Sequence, residues 1–254
     1  MTAAILAIAI LAIATLYSSV GHAGASGYLA AMALVATLQQ EEMKAIALSL
    51  NIVVASIGAV QFARAGHFHW PAFWPLAAGA IPMAFLGGLW KLPGAVFGPL
   101  VGCALLIAAA NLIVRAIRGR RGRGASAPAR TPRMPGVWIT LPVGAALGLL
   151  AGLTGTGGGI FLSPLLILAG WASPKRTAAV SVVFVLVNSI AGLGGVLADS
   201  PALPRELPVY VACAVVGGAS GSTLGARRLP GDWIRALLAV VLVIAAGKLF
   251  LMAG

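Results

Sequence analysis

A glycine-rich segment in the second half of the chain has the residue types needed to bind an anion. Residues 153–159 read Leu-Thr-Gly-Thr-Gly-Gly-Gly and are followed by an apolar run. Consecutive glycines interrupt a helix, and the first N–H groups of the next helix lack internal acceptors and carry partial positive charge. Such a helix start, approached closely over glycine and flanked by hydroxyls, favours an anion site. The predicted binding residues are Thr154, Thr156, Gly157, Gly158 and Gly159.

The first half of the chain carries a degenerate copy of this segment. Residues 21–27 read Gly-His-Ala-Gly-Ala-Ser-Gly, and an offset of 132 places them over residues 153–159. Interrupted helices at corresponding positions of two repeats are typical of a transporter's binding site. The predicted binding residues here are His22, Gly24, Ala25, Ser26 and Gly27. His22 could also titrate near neutral pH, and a helix-end histidine bonded to backbone explains it equally well.

Close packing of helices is the alternative explanation for both glycine clusters. Two clusters at matching positions of a repeat favour a binding site over packing alone. Asn51 and Asn188 lie in apolar spans and could line the same cavity. Hydrogen bonding between helices is the commoner role of such side chains, so both roles stay open for them.

Residues 24–27 also read Gly-Ala-Ser-Gly, the GxSG pattern of rhomboid-like intramembrane proteases. A nucleophilic serine needs a general base within hydrogen-bond reach. No histidine follows His69 in the sequence, and the offset of 132 places Gly158 where Ser26 stands. An enzyme is therefore not expected. A non-transporting assembly factor is a second alternative, which a flux assay would separate from a carrier.

The composition indicates that lipid is the main solvent of this chain. Hydrophobic residues make up 60% of it and charged residues 9%, whereas charged residues are about a quarter of a soluble domain. The net charge of +12 reflects arginines concentrated in residues 115–133, which is typical of a cytoplasmic loop rather than of nucleic-acid binding. Cys103 and Cys213 lie apart in apolar runs, so we expect no metal site, disulfide or cofactor.

The spacing of apolar runs predicts an all-α polytopic membrane protein with about eight to ten membrane segments. The first repeat spans residues 1–114, an Arg-rich cytoplasmic linker residues 115–135 and the second repeat residues 136–254. With the linker inside, equivalent loops of the two halves face opposite sides. The charges of Glu41, Glu42 and Lys44 then fall in an outer loop. The pattern therefore predicts inverted repeats, short or broken helices after the glycines, and periplasmic termini.

The chain resembles the TauE/SafE family, the sulfite exporter family of membrane permeases. The residues that carry the resemblance are 152–164 (Gly-Leu-Thr-Gly-Thr-Gly-Gly-Gly-Ile-Phe-Leu-Ser-Pro), 20–28 and 224–230. The resemblance implies export of a small sulfur oxyanion, sulfite or an organosulfonate, across a bacterial inner membrane. Sulfate or thiosulfate is the alternative cargo. We expect alternating access in a lipid bilayer, no nucleic-acid partner, and leave a homodimer open.

Overall fold

The computed structural model describes residues 2–19, 23–36, 38–66, 68–121, 134–198, 203–225, 240, 243, 246–247 and 250. Across these residues the chain forms helices and turns, without a strand. The helices are α1 (Thr2–Ser19), α2 (Ala25–Val35), α3 (Gln40–Arg64), α4 (Trp70–Leu89), α5 (Gly94–Arg121), α6 (Val137–Thr154), α7 (Gly159–Leu168), α8 (Pro174–Leu197) and α9 (Leu207–Gly225).

Four of these helices, α3, α4, α6 and α8, are long and apolar enough to cross a membrane. By contrast, α2 has 11 residues and α7 has 10, which is short of the roughly 20 residues that a span needs. Each short helix follows one of the glycine clusters. The predicted all-α polytopic membrane protein is therefore confirmed, and its short helices occur where the glycines stand.

Two boundaries differ from those that the sequence predicted. Helix α5 continues to Arg121, so the first part of the predicted linker extends the helix, because Arg, Ala and Ile are adequate helix formers. Residues 122–133 lie outside the described part. Helix α3 begins at Gln40, where Glu42 accepts a hydrogen bond from the Gln39 N–H at 3.0 Å. Glu41, Glu42 and Lys44 therefore belong to a capped helix start rather than to a loop.

Glycine seams bring several helices into close contact. On α6, a Cβ at Gly144, Gly148 or Gly152 would overlap the α4 backbone. On α9, Gly217 and Gly221 have the same relation to α1. Small residues let helix backbones approach in this way. Packing therefore explains these glycines, which lie outside the two helix breaks.

The helix pairs have counterparts when the two halves are exchanged. Helix α4 packs on α6, and the corresponding α9 packs on α1, while α3 and α8 pack on each other. This pattern is what a duplicated unit produces; the inversion of the two halves stays a prediction. The helix starts Ala25 and Gly159 are 134 residues apart, as are Gln40 and Pro174. The offset of 132 is thus two short at the breaks, and Gly158 corresponds to Gly24 rather than to Ser26.

Candidate functional site

The second-half break turns the chain through three left-handed glycines. Helix α6 ends at Thr154 and α7 begins at Gly159, with φ of 72° at Gly155, 71° at Gly157 and 81° at Gly158. Only glycine adopts this region readily. Residues 154–159 are buried, so the start of α7 lies inside the protein. Its first N–H groups have no acceptor within the helix.

The described part of the first-half break contains a left-handed glycine and contacts from two tyrosines. Gly24, with φ of 102°, precedes the start of α2 at Ala25. The Tyr28 hydroxyl donates to the Ala23 carbonyl at 3.1 Å, and the hydroxyls of Tyr17 and Ser26 are 3.1 Å apart. The Tyr17–Ser26 contact joins α1 to the start of α2, and the Tyr28 bond ties the first turns of α2 to the residues just before it. The prediction for His22 falls outside the described residues.

The starts of α2 and α7 face one small cavity. Its volume is about 30 Å³. Asn51 and Val185, which line it, lie near the midpoints of α3 and α8. The cavity is therefore near the middle of two membrane-spanning helices. Its lining comprises Tyr17, Ala23, Gly24, Ala25, Ser26, Asn51, Thr156, Gly159, Ile160, Ser163, Ser181, Val182 and Val185.

Asn51 ties α3 to the second-half break and to α8. Its amide nitrogen donates to the Thr156 carbonyl and to the Ser189 hydroxyl, each at 3.3 Å. A Cβ at Gly157 would lie 2.5 Å from this nitrogen and 2.8 Å from the Ser189 hydroxyl. Position 157 therefore requires glycine both for its φ and for the space that the polar contacts occupy.

The structure brings together about half of the predicted site residues. Those that line the cavity are Gly24, Ala25, Ser26, Asn51, Thr156 and Gly159. Gly157 and Gly158 shape the break beside it. Thr154 donates to the Leu150 carbonyl at 2.6 Å and lies 2.8 Å from the Thr156 hydroxyl.

Gly27 and Asn188 do not line the cavity. Gly27 allows α2 to pack on α1, because a Cβ there would lie 2.6 Å from Ile13 and 2.9 Å from Tyr17. Asn188 is fully buried on α8, and neither polar atom of its side chain has a hydrogen-bond partner among the described residues.

The sequence interpretation missed several side chains of the cavity. Ser163 donates to Ser181 at 3.0 Å, and both line it. Ser163 lies one helical turn after Gly159 and so shares its face of α7. That spacing was a usable signal. No sequence signal of this kind identified Tyr17, because only the packing of α1 brings its side chain to the cavity.

Among the described side chains that line the cavity, none carries a formal charge. The nearest buried cation along α3 is Lys44, about two turns before Asn51. It is 1% exposed, donates to the Trp90 carbonyl at 3.2 Å and lies 5.6 Å from the centre of the Phe97 ring. A carbonyl and an aromatic face are both stabilising partners for an ammonium group. The described lining of the cavity itself comes from the starts of α2 and α7 and from neutral hydroxyl, amide and apolar side chains.

Comparison with known proteins identifies the family. The family described as "Sulfite exporter TauE/SafE" matches residues 5–249. A "Probable membrane transporter protein y4hK" of Sinorhizobium fredii (strain NBRC 101917 / NGR234) is 38% identical over 244 residues, which are 96% of each chain. No solved structure matches. The chain belongs to the TauE/SafE family and is a multi-pass membrane transporter.

Proposed function

We propose that the protein exports a small sulfur oxyanion, sulfite or an organosulfonate, across the cytoplasmic membrane. The observation that carries this proposal is the single cavity at which the starts of α2 and α7 meet. Each helix start presents N–H groups with partial positive charge. The hydroxyls of Tyr17, Ser26 and Ser181 add donors that can replace part of an anion's hydration shell, and Ser163 orients Ser181 by donating to it.

The uncharged lining suits an anion rather than a metal cation. An inorganic cation in such a site would need carboxylates or several free carbonyls. A small anion needs donors, and the donors come from parts of the chain that bend away from ideal helix. The interior-negative membrane potential favours anion exit by about 2.3 kcal/mol per charge per 100 mV. Export therefore needs no buried carboxylate relay.

Alternating access is the mechanism that this arrangement supports. The cavity lies between α1 and α2 of the first half and α7 and α8 of the second. Rocking of one half against the other would open it to each side in turn. The contact of α3 with α8 then forms part of the surface on which the halves move.

Flux measurements in proteoliposomes test the proposal. The purified protein is reconstituted and the flux of labelled sulfite and of an organosulfonate is followed with and without an imposed voltage, against protein-free vesicles. We expect saturable flux that the imposed voltage accelerates towards the positive side of the membrane. Sulfate and thiosulfate are added as competing anions to test the alternative cargoes. Folded protein that moves neither sulfite nor an organosulfonate would contradict the proposal and favour a non-transporting factor.

A further inference from the structure

The cavity has an unpaired acceptor as well as donors. The Asn51 amide nitrogen is held by the Thr156 carbonyl, which can only accept, so the two ends of the amide cannot be exchanged. The other end, Oδ1, is buried and has no hydrogen-bond partner among the described residues. Asn51 itself is 0% exposed and lines the cavity. A ligand that binds in this cavity can therefore donate a hydrogen bond to the unpaired oxygen of Asn51.

The charge of the site also restricts which ligand fits the cavity. Each helix N-terminus is equivalent to about half a positive charge, and two of them meet here. Among the described residues, no formally charged side chain lines the cavity. The local potential thus balances about one negative charge, and a dianion would be left partly uncompensated in a medium of low dielectric constant.

We infer that the site binds its oxyanion as a protonated monoanion, whose O–H group donates to Asn51 Oδ1. This inference rests on the proposed function and narrows it. A fully deprotonated oxyanion offers only acceptors, so Asn51 Oδ1 stays unpaired against it. An O–H group removes that penalty and brings the ligand's charge to one. Hydrogensulfite meets both conditions, whereas sulfate is a dianion without a proton and an organosulfonate is a monoanion without one.

Few groups of the protein itself could titrate next to Asn51. Tyr17 on α1 is the titratable side chain that lines the cavity within the described part of the chain, and Lys44 lies about two turns away on α3. The elements that contact Asn51 contribute Thr156, from the break before α7, and Ser189, from α8. Neither of these ionises near neutral pH. His22 falls outside the described residues, so the experiment must separate titration of the protein from titration of the ligand.

The experiment compares ligands that differ in charge and in protonation. Flux into proteoliposomes is measured with equal pH on both sides, from slightly acidic to slightly alkaline. The probes are sulfite, selenite, sulfate and methanesulfonate. Selenite loses its second proton at a higher pH than sulfite, so a ligand-controlled decline shifts upward with it. A titrating protein group would instead give the same midpoint for both. Sulfate and methanesulfonate keep one form throughout.

We expect sulfite flux to fall as the pH rises, and selenite flux to fall at a higher pH than sulfite flux. At acidic pH we expect methanesulfonate to move at least about tenfold more slowly than sulfite, because leaving a buried acceptor unpaired weakens binding by about that factor. Equal midpoints for sulfite and selenite, a flat profile, or methanesulfonate flux equal to that of sulfite would overturn the inference and leave the proposed function standing. No flux of either sulfite or methanesulfonate by the folded protein would overturn the proposed function.

A matched pair of variants locates the effect. Asn51→Leu removes the acceptor, and we expect its remaining flux to lose the preference for sulfite over methanesulfonate. Asn188→Leu is the control, because Asn188 is equally buried but does not line the cavity; it should keep the preference. An unchanged preference in Asn51→Leu would overturn the assignment. The comparison of ligands with the native protein decides the matter if Asn51→Leu does not fold.

Discussion

The two helix breaks turn the chain by different means. Between α6 and α7, three left-handed glycines make the turn, and Asn51 and Ser189 fix it from outside. Before α2, Gly24 is the left-handed residue, and the Tyr17 and Tyr28 hydroxyls bond to the neighbouring residues Ser26 and Ala23. The second break is therefore held by backbone geometry and its neighbours, whereas the first depends on its own side chains. Two helix starts that line one cavity are thus positioned by different interactions.

The largest effect should follow substitution inside the second break. Gly157→Val forces a branched side chain into the left-handed region and into the space of the Asn51 amide, so we expect flux to fall to background. Gly170→Val is the matched control, because Gly170 has φ of 68° and open space around it. It carries the backbone strain, about 1–2 kcal/mol, without the overlap. The measurement is flux per amount of folded protein. Equal losses of flux in the two variants would show that backbone strain, and not the overlap with the Asn51 contacts, causes the effect.

Substitution in the first break should have a smaller effect. At Gly24 a Cβ would lie 3.0 Å from the Tyr28 ring. The Tyr28 side chain can shift to make room, whereas the Asn51 and Ser189 contacts around Gly157 are held by α3 and α8. We expect Gly24→Ala to reduce flux about tenfold, because relieving the overlap with the Tyr28 ring, worth about 1–3 kcal/mol, displaces the start of α2 at the cavity. Gly66→Ala, with φ of 68° and open surroundings, should leave flux unchanged. A complete loss in Gly24→Ala would show that both breaks are equally rigid.

A hydroxyl of the first break should contribute to affinity rather than to folding. Ser26→Ala removes one donor from the cavity and should raise the KM for the anion about tenfold, since a hydrogen bond to a charged group is worth about 1.5–3 kcal/mol. Thermal stability in detergent should change little. Ser56→Ala is the control, because the Ser56 hydroxyl bonds to the Ile52 carbonyl of its own helix. A KM unchanged by Ser26→Ala would contradict a role of the Ser26 hydroxyl in binding the anion.

The smallest effect is expected at the hydroxyl pair of the second half. Ser163 donates to Ser181, so Ser163→Ala leaves Ser181 available to the anion and removes one neutral hydrogen bond of about 1 kcal/mol. We expect a KM increase of about fivefold from kinetics of the same assay. An increase larger than that of Ser26→Ala would reverse the order of the two breaks as sources of ligand donors.

Local sequence was sufficient wherever the signal lay within a few residues. Glycines in series predicted where α6 would end and where the short helix α7 would begin, because glycine favours the left-handed region whatever surrounds it. The same logic predicted a short helix after Gly27, and α2 begins slightly earlier, at Ala25. The residue correspondence between the halves was less accurate, since the first break lacks the glycines that would anchor an alignment. Helix starts were needed to replace the offset of 132 with 134.

Composition by itself determined that this is a membrane protein, and the glycine clusters indicated where its short helices stand; the duplication that the sequence suggests stays a prediction. Only the tertiary structure decided which side chains share the cavity. Tyr17, Asn51 and Ser181 reach it from α1, α3 and α8, and Asn188 does not line it although it resembles Asn51 in type and burial. The physical reason is that backbone preferences act between neighbours in sequence. Cavity lining instead depends on how distant helices pack, through glycine seams whose partners no local pattern specifies.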